Sequence, residues 1–126
     1  MCSNIINVYK GESSMKEIGE KLVQKQLDAY NAQNLEDFVS VYSEDVIVME
    51  FPSNSIITIG MEEMREGYSR LFKENPKNHA ELLTRIVKGN RIIDHEFVTG
   101  RTNGIDRQAI AIYEIENEKI SKVWFL

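Results

Sequence analysis

The chain has 126 residues, 42% of them hydrophobic and 28% charged, with a single cysteine, which predicts one globular domain that buries its own core without disulfides or a metal cluster. Its 20 acidic residues outnumber 15 basic ones scattered among them, giving a formal charge of -5, and that balance excludes a nucleic-acid surface built on clustered Lys and Arg. No apolar run approaches the roughly 18 residues of a membrane span and the start lacks the apolar stretch of a signal peptide, so no membrane partner and a cytoplasmic location are expected.

Residues 1–14, MCSNIINVYKGESS, hold a short apolar run from Ile5 to Tyr9 followed by Gly11, Ser13 and Ser14. They read as an N-terminal arm, either a short extra strand or a loosely held segment, ahead of a domain at 15–126. Cys2 lies in this arm and is a poor candidate for a nucleophile. Ser14 with Glu17 fits a capping box, predicting a helix from about Met15 to Ala32. Its apolar stripe runs through Met15, Ile18, Leu22, Ala29 and Tyr30, widened by Val23 and Leu27. Gln26 falls inside that stripe, where it is either an edge amide reaching water or a pocket group.

Asn34 is placed to cap a second, short helix from Leu35 to about Tyr42, so the two helices form a hairpin. The period then changes to that of a strand, Val46 to Phe51, ended by the turn signal Phe51-Pro52-Ser53-Asn54-Ser55. Glu50 is the polar exception on the face it shares with Val46 and Val48, and reads either as a strand-end carboxylate reaching solvent or as a site group. A short strand, Ile56 to Ile59, leads into a third helix from Met61 to about Glu74, which buries Met61, Met64, Tyr68, Leu71 and Phe72 and stops at Asn75-Pro76. Methionines at this spacing are gap-filling core.

From Ala80 onward the pattern is strands only: Ala80 to Val87, Arg91 to Thr99, Arg107 to Ile115 and Lys119 to Leu126, joined by connections short enough for an antiparallel meander. The most informative is RIIDHEFVTG, Arg91 to Gly100. Alternation puts Ile93, His95, Phe97 and Thr99 on one face and Ile92, Asp94, Glu96 and Val98 on the other, so both faces mix apolar and titratable groups. His95 reads either as a satisfied core histidine or as a pocket group. The architecture is α+β, with three helices packed on one face of a strongly curved antiparallel sheet. The other face carries Ile110, Ile112, Trp124 and Leu83, with Arg85, Asp94 and Glu96 assigned beside them. Since no fourth helix remains to cover it, a homodimer through this outer face is expected. One bulge in the last strand would exchange the faces of Val123 and Trp124.

The order of elements, together with LDAYNAQNLEDFVSVYSEDVIVME at Leu27 to Glu50, the helix Gly60 to Phe72 and the ending AIYEIENEKISKVWF, resembles the cone-shaped fold of nuclear transport factor 2, ketosteroid isomerase and the SnoaL-like polyketide cyclases. The resemblance covers Ser14 to Leu126 and implies a deep, largely apolar pocket between the sheet and the first helix. It puts Glu50 at the isomerases' base position, Gln26 at the position of their oxyanion-hole tyrosine and Ala111 at that of their protonated aspartic acid. With both donors changed, steroid isomerase activity itself is not expected. The same alignment turns His95 toward the pocket, where Gln26, Tyr30, Glu50, His95 and Tyr113 converge, with Leu82, Phe97, Ala111 and Val123 around them. The implied function is binding of a small apolar molecule with a few polar atoms, with no cofactor. It extends to an isomerase, cyclase or dehydratase reaction using Glu50 as base and His95 as acid on a carbonyl-containing substrate. The alternative is a ligand-binding or dimeric adaptor module without chemistry.

Overall fold

A computed structural model describes residues 2–126, with side chains from Met15 onward. The elements run α1 (Cys2–Ala32), α2 (Leu35–Ser40), β1 (Tyr42–Glu50), β2 (Ile56–Ile59), α3 (Gly60–Glu74), β3 (His79–Lys88), β4 (Arg91–Thr99), β5 (Arg107–Glu116) and β6 (Lys119–Phe125). Ser14 and Glu17 therefore lie within α1 instead of at its start, so the expected capping box does not mark the helix end. Asn34 does cap α2: its side chain accepts from the Asp37 backbone N–H at 3.1 Å. The second helix ends two residues earlier than expected, and Tyr42 opens β1.

All six strands form one sheet in the order β2-β1-β6-β5-β4-β3. Consecutive strands from β3 to β6 pair antiparallel, as their short connections dictate, and β1 pairs antiparallel with β2. The one parallel pair is β1 with β6, which joins the β1–β2 hairpin to the meander and makes the sheet mixed instead of wholly antiparallel.

Three helices cover one face. Val23 of α1, Phe38 and Val39 of α2, and Met64 and Phe72 of α3 meet Val46, Val48, Ile92, Ala111, Ile120 and Val123 of the sheet in one buried cluster. Complete burial of such side chains contributes about 1.5–3 kcal/mol each, so this cluster dominates the stability of the domain. The helix comes close to the sheet at Gly19, where an added Cβ would lie 2.6 Å from Ile92 Cδ1. A second, smaller cluster comprises Leu27, Ala80 and Val98, with Leu82, Tyr30 and Ala109 packed against it.

Candidate active site

Between the inner face of the sheet and the helices lies a cavity of about 620 Å³. Its wall is built by the strand alternation of β4 and β5. In an antiparallel ladder, directly opposed residues point to the same face, and Ala109, Ala111 and Tyr113 of β5 oppose Glu96, Asp94 and Ile92 of β4. Ala111 and Tyr113 are buried, so their partners Asp94 and Ile92 are inward as well. His95 and Phe97 therefore belong to the opposite face, with Ile110 and Gln108 as their partners.

This corrects the expected site. Neither His95 nor Phe97 lines the cavity, and His95 reaches it only at one remove, through a 2.7 Å hydrogen bond between its Nε2 and Oε1 of Gln108 at the cavity border. Arg85, Asp94 and Glu96, assigned from sequence to the outer face, are on the helix-covered side. A bulge between Leu82 and Thr84 shifts the phase of β3, which turns Leu83 out and Arg85 in. Arg85 then grips Asp94 with two hydrogen bonds, Nε to Oδ1 at 2.7 Å and Nη2 to Oδ2 at 2.9 Å, while its Nη1 donates to Gln24 Oε1 on α1. Asp94 is fully buried, and this bidentate pair satisfies its charge.

Of the other residues expected at the site, Gln26, Tyr30, Glu50 and Tyr113 do line the cavity. Leu82 packs in the neighbouring apolar cluster, and Ala111 and Val123 lie in the core behind the wall. Glu50, the last residue of β1, is exposed at the cavity rim. Gln26 is a pocket group and not an edge amide, being 5% exposed. Its Nε2 donates to the Tyr113 hydroxyl at 3.0 Å, and its Oε1 accepts from the Tyr42 hydroxyl at 3.2 Å. The direction of this chain matters. The Tyr42 proton is committed to Gln26 Oε1 and one of the two Gln26 Nε2 protons to Tyr113, so the Tyr113 hydroxyl keeps its own proton for another acceptor. Burial pushes the Tyr113 and Tyr42 hydroxyls well above their ordinary range, with neighbouring charges adding to the effect, so both stay neutral donors.

Sequence reasoning missed the most perturbed carboxylate in the cavity, Glu96. It is 8% exposed on β4, and none of the hydrogen bonds among the described side chains uses its carboxylate. Desolvation pushes its pKa up to about 7, the Asp94 charge adds to the rise, and Arg85 partly opposes it. Its charge is felt by Tyr42, Tyr68 and Tyr113 across the same cavity. The signal that could have found it is the pairing itself: once Ala111 is inward, the residue opposite Ala109 is inward too. The loop from Gly100 to Asp106 hides that register from the sequence.

The cavity also carries two cations, Arg101 and Arg107. Arg101 follows Gly100, whose φ of +77° and close approach to Lys77 only glycine tolerates. The loop is tied to the end of α3 through the Thr102 N–H, which donates to Asn75 Oδ1 at 3.0 Å, and through a hydrogen bond from the Thr102 hydroxyl to the Glu74 carbonyl. Arg101 Nη2 donates to the Tyr30 hydroxyl at 3.3 Å. Among the described residues there is no cluster of three or more His, Cys, Asp or Glu side chains that could hold a metal ion, and no helix long and apolar enough to cross a membrane.

Comparison with known proteins places this geometry. The solved structures similar to this chain include an uncharacterized cystatin-fold protein from Novosphingobium aromaticivorans, at 27% identity and a TM-score of 0.79, with 86% of this chain and 97% of that one covered. A SnoaL-like protein of unknown function from Burkholderia thailandensis matches at 15% identity and a TM-score of 0.73, covering 88% of this chain and 95% of that one. A hypothetical protein with a ketosteroid isomerase-like fold from Catenulispora acidiphila, solved in complex with trimethylamine, matches at 12% identity and a TM-score of 0.70 over 83% of each chain. No curated protein matches the chain in sequence. The fold is that of the nuclear transport factor 2-like superfamily, and a family model for the SnoaL-like domain matches residues 23–123, most of the chain, so the protein belongs to the SnoaL-like family.

Proposed function

We propose that this SnoaL-like protein binds a compact, largely apolar carbonyl compound in its cavity and catalyses a cofactor-independent proton transfer next to the carbonyl. Such a step is shared by isomerase, cyclase and dehydratase chemistry. The observation that carries the reading is Glu96, a carboxylate on the wall of an apolar cavity whose pKa rises to about 7 because burial disfavours its charge. A base poised near neutrality is suited both to take a proton from carbon and to return it.

In this reading Glu96 removes the proton, and the free Tyr113 hydroxyl proton is donated to the carbonyl oxygen as negative charge develops there. Tyr113 thus takes the donor role that Ala111 cannot, while Gln26 holds it in place with one of its Nε2 protons. Glu50 is the second candidate base, reaching the ligand from the rim. His95 has no direct part. The trimethylamine held by the Catenulispora relative supports a cavity that accepts a small molecule, and the acidic net charge of this chain disfavours polyanions. The outer sheet face serves to pair two subunits.

The test needs no knowledge of the natural substrate. Exchange of the α-protons of 2-tetralone for deuterium, followed by NMR, reports carbon-proton abstraction directly. The wild-type protein should accelerate exchange with a profile that rises through about pH 7, Glu96→Gln should fall to the uncatalysed rate, and Glu50→Gln should retain most of the acceleration. Loss in Glu50→Gln alone would move the base to Glu50. Binding of the ketone without any acceleration in the wild type would leave a binding module in place of an enzyme.

A further inference from the structure

Arg101 stands on the cavity wall in a setting that calls for an anion. Among the described residues it forms no ion pair, and neither does Arg107 beside it; the ion pairs present involve Arg65, Arg85, Arg91 and Lys122. Among the described residues the buried Nε of Arg101 has no acceptor, while one outer nitrogen donates to the Tyr30 hydroxyl. An unanswered buried N–H on a charged group is costly, and more so where the charge itself is desolvated. Two carboxylates line the cavity, exposed Glu50 at its rim and buried Glu96, and among the described residues neither forms an ion pair with Arg101; it is Arg85, and not Arg101, that offsets the rise of Glu96. The loop fixes the Arg101 backbone from several sides, through Gly100 packed on Lys77, Thr102 bound to Asn75 and Glu74, and the Gly104 N–H on the Arg101 carbonyl at 2.9 Å. A cation on a backbone held this firmly against an apolar cavity, without its own anion, is a built recognition element.

We infer that the ligand of this cavity carries a carboxylate, which docks on the Arg101 guanidinium while the apolar body of the ligand lies along Leu27, Val98 and Leu71. The inference deepens the proposed function by naming the substrate class, an apolar keto acid or related monocarboxylate, and rests on that reading for the site. A guanidinium fork matches the two oxygens of a planar carboxylate. Arg107, exposed at the start of β5, guides the anion inward without gripping it.

The experiment compares three probes with the same aromatic body, the isosteric pair 2-naphthoate and 2-naphthamide and the larger 2-naphthyl phosphate, by titration calorimetry at about pH 6, where Glu96 is protonated and does not oppose a second negative charge. Wild-type protein should bind the naphthoate about tenfold more tightly than the amide. Arg101→Gln should erase that preference while leaving the amide affinity within about twofold, which also shows that the variant is folded. Arg101→Lys should keep part of the preference, and Arg107→Gln nearly all of it. Equal affinity for the naphthoate and the amide in the wild type, or an undiminished preference in Arg101→Gln, overturns the inference while leaving the cavity reading intact. Tighter binding of the phosphate overturns the carboxylate class. Failure of all three probes to bind overturns the inference and the cavity reading together.

Discussion

Glu96 shows how much a single face assignment decides. Moved one position along β4, the same carboxylate would stand on the outer face beside Ile110 and Gln108, in water, with an ordinary acidity. Opposite Ala109 it is shut behind the helices, with the Asp94 charge on its own face two residues away. Its raised pKa has a consequence for stability whose sign follows from proton counting. Between the ordinary carboxylate value of 4.5 and about 7 the folded chain holds a proton that the unfolded chain has released, so stability falls as pH rises through this window. Above the folded value both states are ionised and the loss is complete, amounting to about 3 kcal/mol. Glu96→Gln removes the charge and keeps the shape. Urea unfolding at about pH 5 and about pH 8 should therefore show the variant gaining on the wild type by that order at the higher pH, with little difference at the lower. A variant that tracks the wild type at both would mean that Glu96 ionises freely.

At the scale of elements, the β4–β5 loop is the part on which both the cavity mouth and Arg101 depend. An added Cβ on Gly100 would lie 1.8 Å from the Lys77 carbonyl oxygen, at a backbone angle that L side chains rarely adopt. Gly104, at φ +75°, has nothing within 4 Å of the same atom. Thermal or urea melts should therefore find Gly100→Ala destabilised by more than about 2 kcal/mol and Gly104→Ala by about 1 kcal/mol, the difference isolating the close approach from the backbone strain. Equal costs would mean that the loop yields at Lys77.

The elements themselves were legible in the sequence because their signals are local. Asn34, the alternation in Arg91 to Thr99 and the turn at Gly89-Asn90 fix boundaries without reference to the rest of the chain. Faces were harder to read, because a face is a property of pairing. In β4 both alternating sets hold apolar and titratable residues, so alternation offers two phases and no reason to choose between them. In β3 a bulge separates Leu83 from Arg85, which strict alternation places together. The first effect is why alternation sets His95 and Phe97 inward and Glu96 outward, and the second is why it sets Arg85 outward; Arg101 sits in a loop where no period applies, and Gln26, Tyr30, Glu50 and Tyr113, which line the cavity, lie on other elements. The parallel pairing of β1 with β6 is equally non-local, since no short connection announces it.

Among the described residues the sheet has two faces and one layer of helices. On the uncovered face Ile93, Ile110, Ile112 and Trp124 form a half-buried apolar band, which Ile86, 57% exposed, extends on β3, while Leu83 at the bulge is 45% exposed. Along its border Glu114 is clasped by Arg91 at 2.9 Å and Lys122 at 3.5 Å, a polar margin of the kind that rims an apolar contact. A continuous band on a twisted sheet is self-complementary about a two-fold axis, and burying the 1,200–2,000 Å² or so of a standard interface would remove most of it from water. Sedimentation at micromolar concentration should accordingly find a species of twice 14.6 kDa. Ile112→Glu should shift it to the monomer, because pairing through the apolar band would bury the new carboxylates without partners. Ile112 points away from the cavity, its strand neighbours Ala111 and Tyr113 facing inward, so this variant should still bind a small apolar ketone and the two faces of the sheet would be separable by experiment. A wild-type chain that sediments as a monomer would mean that the apolar band is stable in water as it stands, and the reason for a second hydrophobic face would have to be sought in a different partner.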